Sequence, residues 1–233
     1  MIKVTYMEHC GFVVTTPTAI LVFDLAKDPS HALKKAIKNN AGLPVYFFVS
    51  HHQTDHFNPA IFDMAQECNR IYILSYDIES KHVPDKGLQV QFMSPGDSVS
   101  DLPGDIAVKA YRSTGAGVAY VVTTPDGKTI FHAGDLNDNM KADGREESEF
   151  VKTVGRIAED YPELTVAMMS VDTHEGANVE QGARRMMEMI KVDNFFPMHI
   201  YGGDKQACDF AQYVPERTAA HCLKSPGEHF DVV

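Results

Sequence analysis

The sequence predicts an α/β fold built from two similar halves, and three observations point to it. Short runs of β-branched and aromatic residues, separated by turn residues, open the chain and return in its middle. Each β-rich stretch is followed by segments in which strand and helix patterns alternate. Several apolar runs end in ligand-type residues: Asp24, the cluster His51-His52-Gln53-Thr54-Asp55-His56, His132 with Asp135, Asp172 with His174, and His199. Ligands bind at the carboxyl ends of strands in α/β sheets because loops and helix starts diverge there, so these residues are expected to converge on one polar site.

Residues 3–6, 11–15 and 19–23 read as a meander of antiparallel strands. In the helix that follows, Ser30 can cap the start, Leu33 and Ile37 share a face, and Asn39, Asn40 and Gly42 mark the end. Val45-Tyr46-Phe47-Phe48-Val49 is an unbroken apolar run, as in a strand buried on both faces. Asn58-Pro59 has the form of an N-cap and a first-turn proline and predicts a helix to about residue 67, with a strand at 70–74 behind it. The middle returns to strands at 88–93, 106–111 and 118–123, and Asp126-Gly127 turns the chain into another at 128–131. The last third shows helical spacing over 146–160, a strand at 166–171, a helix capped by Asn178 that runs to about residue 191, and Phe195-Phe196 leading into Pro197-Met198-His199. The methionines 168, 169, 186, 187 and 189 are expected to fill core gaps.

No Pro/Gly/Ser-rich linker or long charge run interrupts the 233 residues, so residues 1–233 are expected to form one domain. Subtracting 32 acidic from 21 basic residues leaves a net charge of −11, which repels a phosphate backbone and disfavours nucleic-acid partners. No apolar stretch approaches the ~18 residues that suggest a membrane span, and the start of the chain carries no basic-then-apolar export signal. A cytoplasmic protein acting on a small-molecule substrate, with no membrane partner, is the expectation; the oligomeric state is not legible. Cys10, Cys68, Cys208 and Cys222 form no CxxC pair and are expected to be reduced thiols.

The stretch 50–56 carries the densest chemistry. Imidazole nitrogens and carboxylate oxygens are the ligands that zinc and similar divalent ions take, and a strand end presents them rigidly. In an extended segment His51, Gln53 and Asp55 share a face, His52 points away, and His56 follows as the backbone turns.

These residues resemble the metallo-β-lactamase superfamily of metal-dependent hydrolases. The family signature His-x-His-x-Asp-His lies on His51, Gln53, Asp55 and His56; its Gly-Asp element lies on Gly134-Asp135, and its final metal histidine on His199. The opening Glu8-His9-Cys10-Gly11-Phe12 is similar to the branch that includes L-ascorbate-6-phosphate lactonase. The resemblance covers about residues 1–201 and implies a four-layer αββα sandwich of two mixed sheets, with a metal centre at one edge between them. It implies that Asp55, His56, Asp135 and His199 hold an ion and that His51 is the surviving metal ligand of the other site; His51, Gln53 and His132 are expected to line the substrate side. Asp55 is expected either to bind the metal or to act as general base on its water, and His132 or His52 to supply a replacement ligand or a proton-transfer group. Asp24 and Asp172 are expected to fix the tautomer of ligating histidines, with His9 nearby.

Two departures from the family pattern matter. Gln53 stands where the second signature histidine is expected, and Arg112-Ser113-Thr114-Gly115-Ala116-Gly117 contains no histidine where the family places another ligand. A glutamine carbonyl is a weak, neutral ligand, so one ion is expected rather than two, zinc first and manganese or iron as alternatives. The resulting expectation is a hydrolase of a small-molecule lactone, ester, amide or phosphodiester. A degenerate binding or regulatory protein of the same fold is the main alternative, and an RNA-processing nuclease is disfavoured by the charge.

Overall fold

The structure is a computed structural model that describes residues 1–138, 148–171, 179–199, 209–210, 214–221 and 224–232, the side chains of residues 179 and 180 excepted. Its first sheet is built from β1 (Ile2–Glu8), β2 (Gly11–Thr15), β3 (Ile20–Phe23), β4 (Val45–Val49), β5 (Arg70–Ser75) and β6 (Gln89–Met93), hydrogen-bonded in chain order. Its second contains β7 (Ser98–Leu102), β8 (Ile106–Arg112), β9 (Val118–Thr123), β10 (Thr129–His132), β11 (Glu163–Ser170), β12 (Lys191–Met198) and β13 (Ala219–Ala220), also in chain order. A last strand, β14 (His229–Val232), returns to the first sheet and pairs antiparallel with β1.

Both sheets change from antiparallel to parallel at a corresponding place. In the first, β1 to β3 are antiparallel and β3 to β6 parallel; in the second, β7 to β10 are antiparallel and β10 to β13 parallel. This is the pair of similar halves expected from the order of elements. Helix α1 (Ala32–Asn39) packs on β1 to β3, whereas α2 (Glu149–Asp160) and α3 (Val179–Met189) pack together over the second sheet, giving the αββα layering.

Burial explains the composition of the strands. All five residues of β4 are buried because it lies inside the first sheet between β3 and β5. On its inner face Phe48 stacks on Phe23 at 4.7 Å and meets Tyr120 of the opposite sheet edge-on at 5.5 Å. The Tyr120 hydroxyl donates to the Val49 carbonyl at 3.0 Å, satisfying a buried polar group while tying the two sheets together near the site. Met168, Met169, Met186 and Met187 lie in the core as expected, and Met189 is exposed.

Several local expectations change. Helix α1 is capped by Asp28, whose carboxylate accepts from the Ala32 and Leu33 amides at 2.8 and 3.0 Å; Ser30 donates to the same carboxylate instead. Asn58 caps as expected, but only a short 3-10 helix follows, Pro59–Asp63. The Arg70 guanidinium takes the Phe62 and Met64 carbonyls that a longer helix would need, and Ala65 is left-handed. Strand β7 was absent from the sequence expectation because its residues are largely polar and exposed, and β14 because the tail has no periodic pattern. Helix α2 starts at Glu149, capped by Ser148. Asn178 lies outside the described residues, as do Asp172, His174, Cys208 and Cys222. No described helix is long and apolar enough to cross a membrane.

Candidate metal centre

The site is assembled at the carboxyl ends of strands from both sheets. Asp24 follows β3, His51 follows β4 through Ser50, Asp135 follows β10 through Ala133 and Gly134, and His199 follows β12. His9 reaches it from the turn between β1 and β2. The residues 53–56 form a turn, with the His56 and Phe57 amides donating to the Gln53 carbonyl at 3.0 and 2.8 Å, so His56 is carried back beside His51. The two imidazoles lie 4.0 Å apart between ring centres. His52 points away as expected, its ring against Asp77 at 2.8 Å and its side chain 61% exposed.

Asp135 is the hub. Its Oδ2 lies 3.3 Å from His51 Nε2, and its Oδ1 lies 3.2 Å from His56 Nε2 and 3.7 Å from His199 Nε2. Asp55 Oδ2 closes the other side, 3.3 Å from His9 Nε2, 3.8 Å from His56 Nε2 and 4.0 Å from His199 Nε2. Gln53 Oε1 is 3.2 Å from His51 Nε2. Ligand bonds of about 2.0–2.1 Å in a tetrahedron put neighbouring donors about 3.3 Å apart, so these separations fit a divalent ion with small side-chain adjustments. His56 Nε2 and Asp135 Oδ1 are both buried and, apart from facing one another, have no hydrogen-bond partner, which a cation between them would satisfy.

A buried carboxylate sets the direction of the ligands. Asp24 Oδ2 lies 2.7 Å from His56 Nδ1, so Nδ1–H faces the carboxylate and Nε2 is aimed at the cluster. Asp24 also accepts from the Ser50 amide at 2.8 Å and from the Ser50 hydroxyl at 2.6 Å, and that hydroxyl lies 3.0 Å from His51 Nδ1. One carboxylate thereby orients both imidazoles, one directly and one through Ser50. Ser50 was not among the expected site residues; its only signal is its place between the buried strand and His51.

The charges follow from this packing. Burial opposes ionisation of Asp24, yet His132, His56 and His51 together hold its carboxyl well below the usual range. Burial likewise opposes ionisation of Asp135, and His56, His51 and His199 outweigh it and lower its pKa. For His56 burial acts against protonation, but the Asp24 and Asp135 carboxylates beside it hold the imidazolium form well above its usual range. His9 is pushed down to about 4 by burial and by His199 and His56, and burial pushes the Cys10 thiol up to about 12.

His132 does not join the cluster. Its Nε2–H donates to the Cys10 carbonyl at 2.9 Å, its Nδ1 accepts from the Gly134 amide at 3.2 Å, and its ring stacks on Phe23 at 5.1 Å. Both nitrogens are engaged by backbone, the side chain is fully buried, and Nδ1 lies 3.8 Å from Asp24 Oδ2. It ties β10 to the β1–β2 turn, away from the cluster where a proton-transfer group or replacement ligand is expected.

A pH dependence follows for the metal-free protein. His132, lowered by burial, and His9 bind a proton in the unfolded chain near the ordinary 6.5 but not in the fold, so their contribution is full above 6.5 and lost as pH falls. His56 is raised, so its contribution is full below 6.5 and lost as pH rises. Thermal melts in chelator are therefore expected to peak at about pH 6.5 and fall on both sides; a midpoint rising steadily from pH 5 to 8 would contradict these assignments.

No protein-family model and no curated protein matches the sequence. The fold does have solved neighbours. A metallo hydrolase from the archaeon Ignicoccus hospitalis, Igni18, superposes with a TM-score of 0.70 at 18% identity, covering 100% of this chain and 99% of that one. A possible metal-dependent hydrolase from Veillonella parvula gives 0.71 at 11% identity, covering 99% of both chains. The metallo-β-lactamase fold protein YhfI from Bacillus subtilis gives 0.67 at 13%, covering 99% of this chain and 100% of its own. Likeness at such identities is likeness of fold, and together with the two mixed sheets, their flanking helices and the position of the His/Asp cluster it establishes that this chain has the metallo-β-lactamase fold.

Proposed function

We propose that the protein is a metal-dependent hydrolase acting on a small-molecule lactone, ester, amide or phosphodiester in the cytoplasm. The observation that carries this reading is the convergence of Asp55 and Asp135 with His56 and His199 at donor separations of 3.2 to 4.0 Å, with Asp24 aiming His56 Nε2 at the cluster. Those four residues would hold a divalent ion, zinc before manganese or iron. Bound there, such an ion would lower the pKa of a water and polarise a substrate oxygen.

The chain's own groups divide the remaining tasks. Asp55, with 35% of its side chain exposed, is the carboxylate that a water or substrate can reach, and it serves as the general base. His51, turned by Ser50, and Gln53 stand on the far side of Asp135, where they orient a substrate. A cavity of about 360 Å³ bordered by His52, Thr54, Phe57, Asp77 and His82 opens beside this turn and has room for an apolar substituent.

Elemental analysis of protein purified without added metal, paired with a panel of lactones, esters, amides and phosphodiesters, tests the reading. About one ion per chain and turnover that disappears with chelator are expected; absence of both ion and turnover would leave the degenerate binding protein, which the Gln53 and Gly115 departures favour. Gln53→His is expected to raise the metal content towards two while remaining unnecessary for turnover. Two well-bound ions in the unmodified protein would show that Gln53 is an adequate ligand.

A further inference from the structure

We propose that His9 is a direct ligand of the ion, so that His9, His56 and His199 surround it together with Asp55 and Asp135; this rests on the metal-centre reading above. His9 Nε2 lies 3.3 Å from Asp55 Oδ2, the same oxygen that faces His56 and His199. The ligand atoms of His9, Cys10, His56 and His199 all lie within 4.8 Å of one another, the Cys10 thiol being kept protonated by burial, and the His9 and His199 rings are 4.1 Å apart. His9 therefore stands on the Asp55 side of the cluster, opposite His51 and Gln53.

The backbone is built to hold it there. His9 has a φ of 57°, a left-handed conformation that histidine adopts at a cost, and His199 has a φ of 59°. The His9 amide donates to the Tyr6 hydroxyl at 2.7 Å, and its carbonyl accepts from the His199 amide at 3.2 Å. These bonds lock the turn that carries one imidazole to the end of the strand that carries the other. On the His51 side, by contrast, a side-chain carbon at Gly115 would meet the Asp135 Cβ at 3.3 Å, so that loop is closed down onto the carboxylate. With an ion bound, three imidazoles that have given up their Nε2 protons and two carboxylates would match the charge of a single divalent ion.

Cobalt(II) is a suitable probe. Protein stripped with chelator and loaded with one equivalent should show three hyperfine-shifted imidazole N–H resonances in its proton NMR spectrum, and His9→Asn should show two. Asparagine tolerates the left-handed backbone, so this variant separates the ring from the turn. Competition with a chelator should give a dissociation constant at least about ten-fold weaker for His9→Asn and unchanged for the exposed control His52→Asn. A His9→Asn protein that keeps the parent's resonance count overturns the inference, even if its affinity falls, because His9 then only positions Asp55. Two resonances in the parent overturn it without any variant. If His9→Asn does not fold, His51→Asn decides: loss of a resonance there assigns the third imidazole to His51, and retention of three supports His9. A parent protein that takes up no cobalt fails the metal-centre reading itself, and this inference with it.

Discussion

Asp24→Asn is expected to destabilise the protein by about 3–5 kcal/mol, because it breaks a buried charged network from one end. The carboxylate is 1% exposed and accepts from the Ser50 amide, the Ser50 hydroxyl and His56 Nδ1. An asparagine has one acceptor oxygen for these donors and must aim its amide hydrogens at one of them, leaving a buried donor unpaired. The backbone is not the cause, since Asp24 is left-handed with a φ of 41° and asparagine accepts that conformation. The same change frees His56 and His51 to rotate, so metal affinity should fall by about 10–100-fold as for other partners that orient a ligand. Urea denaturation of the metal-free protein and chelator competition of the loaded one measure the two effects separately. A loss below about 1 kcal/mol with normal affinity would mean that Ser50 and the surrounding backbone suffice to orient the ligands.

Gly117→Ala is expected to cost about 2–6 kcal/mol, the sum of left-handed strain and a steric collision. Gly117 has a φ of +67°, and an added Cβ would sit 1.9 Å from the Ser50 carbonyl oxygen and 2.6 Å from His51 Cβ. Relief would require parting β9 from the end of β4, where the Val118 amide donates to that same Ser50 carbonyl at 2.9 Å. Gly127→Ala provides the comparison: it has a φ of +77° but nothing within 4 Å of the added carbon, so it should lose only the conformational term, about 1 kcal/mol. Equal denaturation midpoints for the two variants would refute the close approach of Gly117 to Ser50 and His51.

Strands whose pattern is dictated by burial were legible residue by residue. β2, β3, β4, β5 and β9 are almost wholly buried, and their β-branched and aromatic runs have no other stable use. The polar β7, the two-residue β13 and the tail strand β14 were not, because an edge strand takes its conformation from the neighbour it pairs with. The helix expected after Asn58-Pro59 failed for a related reason: the capping signal was correct, but Arg70, arriving from β5, claims the carbonyls that would have continued it.

At the site, the sequence by itself determined which polar residues stand after the strands: Asp24, His51, Gln53, Asp55, His56, Asp135 and His199 all follow strand ends of the two sheets. The loss of a histidine at Gln53 and the absence of one near Gly115 were also visible as residues alone. Only the tertiary structure decided which nitrogen of His51 and His56 faces the centre, because that depends on Asp24, which is 26 residues from Ser50 and 32 from His56. It also removed His132, whose Nε2 is satisfied by a carbonyl 122 residues away, and brought His9 against Asp55 and His199. Ligand identity is a property of single residues and local runs, whereas tautomer, direction and membership of the cluster come from hydrogen bonds between distant strand ends, which no local pattern encodes.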